Sequence, residues 1–337
     1  MKNQQTNMVE MIDWAVGDAP LSGTAFAGAG LAAAIGNFDG VHRGHQKVVA
    51  AAVAAARRDG LLPSVITFDP HPREFFRQDE APFHLADRRE KDRLLAGLLG
   101  QMGPARVIHI RFDNALRSTS ADQFVSSVLA GLGVHQLYAG NDFAFGKGRG
   151  GDLQTINQVG KPIGISATAV PLLVDANTAV FSSSRIRAAL QAGAPDAAAA
   201  MLGHDWAVTG TVIRGDSRGR TIGFPTANIA LGSLQHPAFG VYAVEIDLDD
   251  GAGSVRQVGN GVANIGIRPT VQNRGVLCEA HLFDRDMDLY DKRLLVRLKA
   301  FLRPEQKFSG IEELINQISL DAEAARQLLP PFALGQQ

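Results

Sequence analysis

The feature that most constrains this chain is a change of hydrophobic period near Trp206. From about residue 30 to residue 187, short apolar runs alternate with helix-like segments, the order of a parallel sheet with crossover helices. After Trp206, apolar and polar residues alternate at period two between Gly, Pro and Asn breaks, which suggests an antiparallel barrel. A length of 337 residues also favours two domains. We therefore expect an α/β domain over 1–187, a linker over 188–205, and a β-barrel domain with a C-terminal helix over 206–337.

In the first part, strands are expected at 31–35, 63–68, 106–110, 136–139 and 164–170. Helices are expected at 44–58, stopped by Gly60, from Asp87 with Glu90 as a capping box, after Ser120, and at 182–191 and 195–202. Barrel strands are expected at 207–213, 241–246, 258–265, 277–282 and 294–301. Ser309 with Glu312 marks a capping box for the last helix.

The 33 basic and 34 acidic residues nearly cancel, so no global field holds the chain on nucleic acid or on an anionic membrane. Any anion must be caught locally. The single cysteine, Cys278, excludes an intramolecular disulfide and reads as a small buried hydrophobe. No apolar run is long enough to span a bilayer, and a cytoplasmic protein without membrane or nucleic-acid partners is expected.

The first strand runs into Gly36-Asn37-Phe38-Asp39-Gly40-Val41-His42-Arg43-Gly44-His45 and then into an Ala-rich helix. Loops beyond the carboxyl ends of parallel strands hold ligands, and a helix N-terminus offers N–H groups and a positive dipole to phosphate. Glycines 36, 40 and 44 let backbone and ligand approach closely. His42 and His45, three apart, face one ligand as two donors for charge developing on a transferring phosphoryl group. The bland alternative makes one histidine a helix cap and the other a core residue. A zinc pair ranks lower, because no cysteine and no H-E-x-x-H pattern supports it. Further on come Asp69-Pro70-His71, then Asn141-Asp142-Phe143-Ala144-Phe145-Gly146, and then Ser182-Ser183-Ser184-Arg185-Ile186-Arg187.

In the second part, Gly210 to Gly215 continues through Arg218-Gly219-Arg220 to Gly223-Phe224-Pro225-Thr226-Ala227-Asn228. The loop's N–H groups could wrap an anion, and Thr226 and Asn228 supply hard oxygens suited to Mg²⁺ beside phosphates. A barrel corner with Gly at the bends and Arg in solvent explains the same residues equally well.

Taken together and in this order, these motifs resemble the bacterial bifunctional riboflavin kinase/FAD synthetase (FMN adenylyltransferase) family. The first half, about 30–187, is similar to its Rossmann-like nucleotidyltransferase domain, and 206–328 to its riboflavin kinase barrel, through Gly-Arg-x-x-Gly-Phe-Pro-Thr-Ala-Asn. The resemblance implies phosphorylation of riboflavin to FMN and adenylylation of FMN to FAD, with ATP and Mg²⁺. It implies catalytic roles for His42, His45 and Glu279. Nucleotide contacts fall on Gly36, Phe38, Asp39, Gly44, Asn141, Ser182, Ser183, Arg187, Gly215, Arg220, Thr226 and Asn228. Flavin contacts fall on Asp69, Asn141, Phe143 and Arg268, and metal contacts on Thr226 and Asn228. FAD-dependent apoproteins are implied as transient recipients. Three departures are visible: Ser184 stands where many relatives have Thr, Ala121-Asp122-Gln123-Phe124 replaces a Glu-rich helix start, and Asp291 stands where many have Gly. Rival readings are a nucleotidyltransferase acting on another phosphate and a flavin-binding regulator without turnover.

Overall fold

The computed structural model describes residues 9–21, 30–77, 81–100, 103–176, 178–214, 223–251, 254–267 and 275–332. The chain divides into two units, 1–80 with 91–181, and 81–90 with 182–337. The expected linker is largely helical, in helices Ser183–Gln191 and Pro195–Leu202.

The first unit holds a six-stranded, all-parallel sheet in the order β1-β4-β3-β2-β5-β6. Its strands are β1 (Val9–Trp14), β2 (Leu31–Ile35), β3 (Leu62–Asp69), β4 (Ala105–Arg111), β5 (Val134–Gly140) and β6 (Ser166–Val170). All residues of β2 are buried, because a central parallel strand is covered on both faces and reads as one apolar run. Leu31, Ala33 and Ile35 join one core cluster, while Ala32 and Ala34 join another with Val48, Val49 and Ala52 of the helix Arg43–Asp59. That Ala-rich helix ends at Gly60, in the left-handed region at φ 67°, whose N–H donates to the Ala56 carbonyl. Chain order runs from β2 to β3 to β4 on one side and returns to β5 on the other, so a topological switch point lies at the carboxyl end of β2. The expectations did not include β1, which among the described residues is an edge strand paired with β4. Its Glu10 carboxylate takes the Nε–H of the buried Arg106 at 2.8 Å.

In the second unit, β7 (Ala207–Thr211), β8 (Ala227–Ala230), β9 (Gly240–Asp249), β10 (Val255–Ile267), β11 (Val276–Leu282) and β12 (Arg293–Pro304) form an antiparallel sheet in the order β7-β12-β9-β10-β11-β8. A bridge between Ile213 and Asn228 brings its two edges together, so the sheet is a nearly closed barrel. Gly210 lets β7 pass close to β8, since a Cβ there would lie 2.7 Å from Ile229 Cγ2. The helix Ile311–Leu328 covers part of the outer face through Ala325, packed with Val241, Ala243, Val262 and Phe283. Its expected cap is corrected. Gly310 is the N-cap, and Ser309 donates to Glu313, not to Glu312, because the helix starts one residue later than the capping-box spacing requires. Asp291 adopts φ 60°, a left-handed conformation that Gly takes freely and Asp tolerates better than most residues, so the turn survives this departure.

Candidate functional site

At the end of β2, Phe38 and Val41 hold φ values of 50° and 44° with Gly40 at 76° between them. Both non-glycine residues are buried in the core beneath the helix. Such strain persists only where the surroundings over-determine it. The outcome is a tight 3₁₀ turn, Asp39–Val41, that delivers His42 to the N-cap of the helix Arg43–Asp59.

His42 Nδ1 accepts hydrogen bonds from the Gly44 and His45 backbone N–H groups at 3.1 and 3.3 Å. The amides expected to meet phosphate are thus partly occupied by the histidine itself. The capping half of the bland reading is therefore what His42 does. A neutral ring whose Nδ1 accepts must carry its proton on Nε2, so the cap also fixes His42 as a donor. The rings of His42 and His45 stack, with centroids 3.5 Å apart and planes 18° from parallel, and Phe38 meets His45 edge-on at 5.2 Å. Two rings stacked face to face do not converge on one metal ion. Among the described residues no group of three His, Cys, Asp or Glu is placed to hold a metal. Burial, and after it the neighbouring His42, lowers the His45 imidazole well below the usual histidine range. His45 Nδ1 is buried without a hydrogen-bond partner among the described residues.

Gly44 has a steric reason to be glycine, since a Cβ there would stand 3.0 Å from His42 Cε1 and 3.1 Å from His42 Nδ1. Gly36 does not, because its Cβ would meet only Phe38 at an ordinary 3.5 Å. Asp39 opens the 3₁₀ turn and is buried. Asp69 ends β3 and Asn141 follows β5, the two neighbours of β2, so the register brings three loops out of adjacent strand ends. Phe143 stacks on Phe145 at 5.6 Å. Gly146, at φ 75°, closes this loop against the Ala121 backbone, 2.8 Å from where a Cβ would stand.

In the second unit, Ser182 caps the helix Ser183–Gln191, its hydroxyl accepting from Arg185 N–H. Arg187 donates from Nε to the Phe83 carbonyl at 2.7 Å and lies over the Phe83 ring. Gly215, Arg220 and Arg268 lie outside the described residues.

Asn228 is not in a loop but in β8, a strand too short to be seen in the sequence. Here it stands directly opposite Glu279 of β11, and Glu279 in turn stands opposite Asn264 of β10. Cross-strand partners share a face, so three polar side chains form one row across adjacent strands. The alternate residues Ile229, Cys278 and Ile265 are buried in the barrel, which puts the row on its outer face. Thr226 precedes the row, and its carbonyl lies 3.5 Å from Asn228 Nδ2. His281, two residues from Glu279, has Nδ1 2.8 Å from the Pro225 carbonyl. Asn264 Nδ2 donates to Glu305 at 3.2 Å, a pairing across 41 positions that no sequence signal marked.

Comparison with known proteins matches residues 27–185 to the FAD synthetase family and residues 202–329 to the riboflavin kinase family. The chain is 41% identical over 306 residues to the bifunctional riboflavin kinase/FMN adenylyltransferase of Pseudomonas fluorescens, covering 90% of this chain and 94% of that one. The protein of the same description from Escherichia coli K12 is 40% identical, covering 88% and 92%, and that from Bacillus subtilis 38%, covering 87% and 90%. A solved structure described as a macrolide-efflux protein from Streptococcus pneumoniae is also similar, with a TM-score of 0.76 and 26% identity over 94% of this chain and 99% of that one. Among the described residues of the present chain, no helix is long and apolar enough to cross a membrane.

Proposed function

The chain belongs to the bifunctional riboflavin kinase/FMN adenylyltransferase family and is a transferase with both activities, and from that premise we propose how its residues divide the work. Residues 1–187 transfer the adenylyl group from ATP to FMN, giving FAD and pyrophosphate. Residues 206–337 phosphorylate riboflavin, and 188–205 join the two. The observation that carries the first assignment is the His42 cap. It fixes a ring N–H at a strand-to-helix turn, at the switch point where an α/β sheet binds its ligand. A fixed donor needs no reorganisation when negative charge builds on the attacked phosphorus and on the departing pyrophosphate. His45, held neutral by burial, lies against it as the second donor. Asn141, Phe143 and Asp69 leave the neighbouring strand ends, where they border the flavin, while Phe38, Asp39, Gly36 and Gly44 shape the nucleotide side. Ser182, Ser183 and Arg187 are assigned to the triphosphate on family position alone.

In the barrel, Glu279 takes the proton of the ribityl hydroxyl as it attacks the γ-phosphorus of ATP and ADP departs, and Asn228 and Thr226 present oxygens to the metal-bound nucleotide. Both oxygens are neutral and hard, the donor type of a Mg²⁺ ion that arrives with polyphosphate and keeps much of its water. When bound, the ion neutralises phosphate charge. Gly215, Arg220 and Arg268 are assigned to nucleotide and flavin on family position alone. A cytoplasmic location and the handing of FAD to apoproteins are likewise assigned on family resemblance alone.

The test is separation of function. Losing one preorganised donor costs about 3–4 kcal/mol of transition-state stabilisation, so His42→Ala should slow FAD formation from FMN by roughly a hundred- to a thousand-fold and spare FMN formation. Glu279→Gln should do the reverse, lowering FMN formation by about 100-fold or more, within the range of a general base. Time courses with riboflavin, or with FMN, and Mg-ATP read both. Equal loss of both activities in either variant, with unchanged melting, would defeat the assignment.

A further inference from the structure

Glu305 follows the last residue of β12, and no motif singles it out. The barrel nonetheless gives its carboxylate a fitted seat. Pro304 and Ile265 both pair with Gly240 of β9, so the end of β12 comes to β10 across the start of a single strand. Glu305 then accepts the Nδ2–H of Asn264. Two residues along β10, on the same face, stands Gly266, and a Cβ there would collide with the Glu305 carboxylate. The carboxylate thus lies over a glycine that leaves room for it.

We propose that Glu305 is a positioning residue of the kinase site, acting through Asn264. A carboxylate can only accept, so it holds the amide with Nδ2 toward itself and Oδ1 turned away. Asn264 is the cross-strand partner of Glu279, so this orientation sets a carbonyl acceptor beside the carboxylate that removes the proton. Two acceptors on adjacent strands suit a ligand rich in O–H donors, and the ribityl chain is one. Glu279 engages the hydroxyl that attacks, and Asn264 Oδ1 accepts from a second hydroxyl of the same chain, which holds the polyol in line. Were the amide reversed, its NH₂ would face the substrate and Glu305 would meet a carbonyl oxygen. Only the negative charge of Glu305 forbids that state; glutamine at 305 permits it. The inference rests on the reading of Glu279 as the base.

The experiment uses the full chain and measures kcat and KM for riboflavin phosphorylation with Glu305→Gln, Asn264→Ala and Glu279→Gln. The substrates are riboflavin and a series of analogues that each lack one non-reacting ribityl hydroxyl. One neutral hydrogen bond corresponds to about a 10-fold change, so Glu305→Gln and Asn264→Ala should each lower kcat/KM for riboflavin by roughly 10-fold. With the one analogue that lacks the partner hydroxyl, that loss should nearly vanish. FAD formation from FMN should be unchanged, and so should melting temperature. A Glu305→Gln variant with wild-type kcat and KM would overturn the proposal. So would a loss of the same size with every analogue, which would make the contact structural only. If Glu279→Gln keeps full turnover, the reading of the base fails first. If Glu279→Gln is inactive while Glu305→Gln is normal, only the present inference fails.

Discussion

Gly44→Ala separates the chemistry of the first site from its stability. The added Cβ would sit 3.0 Å from His42 Cε1 and 3.1 Å from Nδ1, tighter than carbon atoms normally approach, so the imidazole must swing outward by a few tenths of an ångström or more. Two energies oppose each other. Alanine in place of glycine stabilises a helix by roughly 0.5–1 kcal/mol, and Gly44 already has ordinary helical dihedrals in the first turn. Weakening the two hydrogen bonds that His42 Nδ1 accepts costs about 1 kcal/mol, the usual worth of an N-cap. They nearly cancel. A residual below about 1 kcal/mol moves the melting temperature of a domain this size by no more than about 2–4 °C. Catalysis has no such compensation, because a donor displaced by about 1 Å can lose roughly 100-fold in rate. FAD formation from FMN should therefore fall by about 10- to 100-fold while FMN formation from riboflavin stays normal. Separation of riboflavin, FMN and FAD over time, alongside thermal melting, reads all three quantities. Full adenylyl transfer by Gly44→Ala would show that the ring position is immaterial and would refute the reasoning.

Three further outcomes follow from the same geometry. The His45 imidazole is lowered well below 6.5, so below that pH the unfolded chain takes up a proton that the folded one refuses; wild-type stability should decline as pH drops from 7 toward 5, and His45→Asn should flatten that decline in a melting series. Gly146→Ala places a Cβ 2.8 Å from the Ala121 backbone at a φ of 75°, so it should destabilise the first unit by about 1–3 kcal/mol and impair FAD formation; a normal melt would show that the loop yields easily. Chelation of divalent ions should stop both reactions and Mg²⁺ should restore them, whereas kinase turnover in excess chelator would remove the metal role given to Thr226 and Asn228.

What the sequence disclosed and what it hid follow from how each feature is encoded. Strand β2 was legible because burial on both faces leaves an unbroken apolar run, and the helix after it because its Ala-rich body and the Gly60 stop stand out. Strand β1 was not, because an edge strand carries polar residues whose partners lie far off in sequence, as Glu10 does with Arg106. The four-residue β8 escaped notice inside a Pro-Thr-x-Asn stretch that reads as a loop. The row Asn228, Glu279 and Asn264 depends on the registers of β8, β11 and β10, and period-two patterns say which face a residue occupies but not whom it meets. Family position alone pointed to Glu279. Nothing comparable pointed to Glu305, whose seat beside Asn264 depends on where β12 ends.

The His42 turn also dissolves the opposition between a histidine that caps a helix and one that binds phosphate, and Ser182 obeys the same chemistry at its own helix. A cap consumes an acceptor. His42 spends the Nδ1 lone pair on two backbone N–H groups, and Ser182 spends an oxygen lone pair on Arg185 N–H. Phosphate oxygens, in contrast, require donors. A neutral imidazole that accepts at Nδ1 keeps its proton on Nε2, and a hydroxyl that accepts still has its own hydrogen to give. Capping therefore removes the atoms that would repel an anion and orients the ones that attract it. An Asp or Asn cap would satisfy the same amides, but the carboxylate would add negative charge and the Asn would set no ring N–H at that reach. The structural role of His42 is thus the means by which it holds a donor in place.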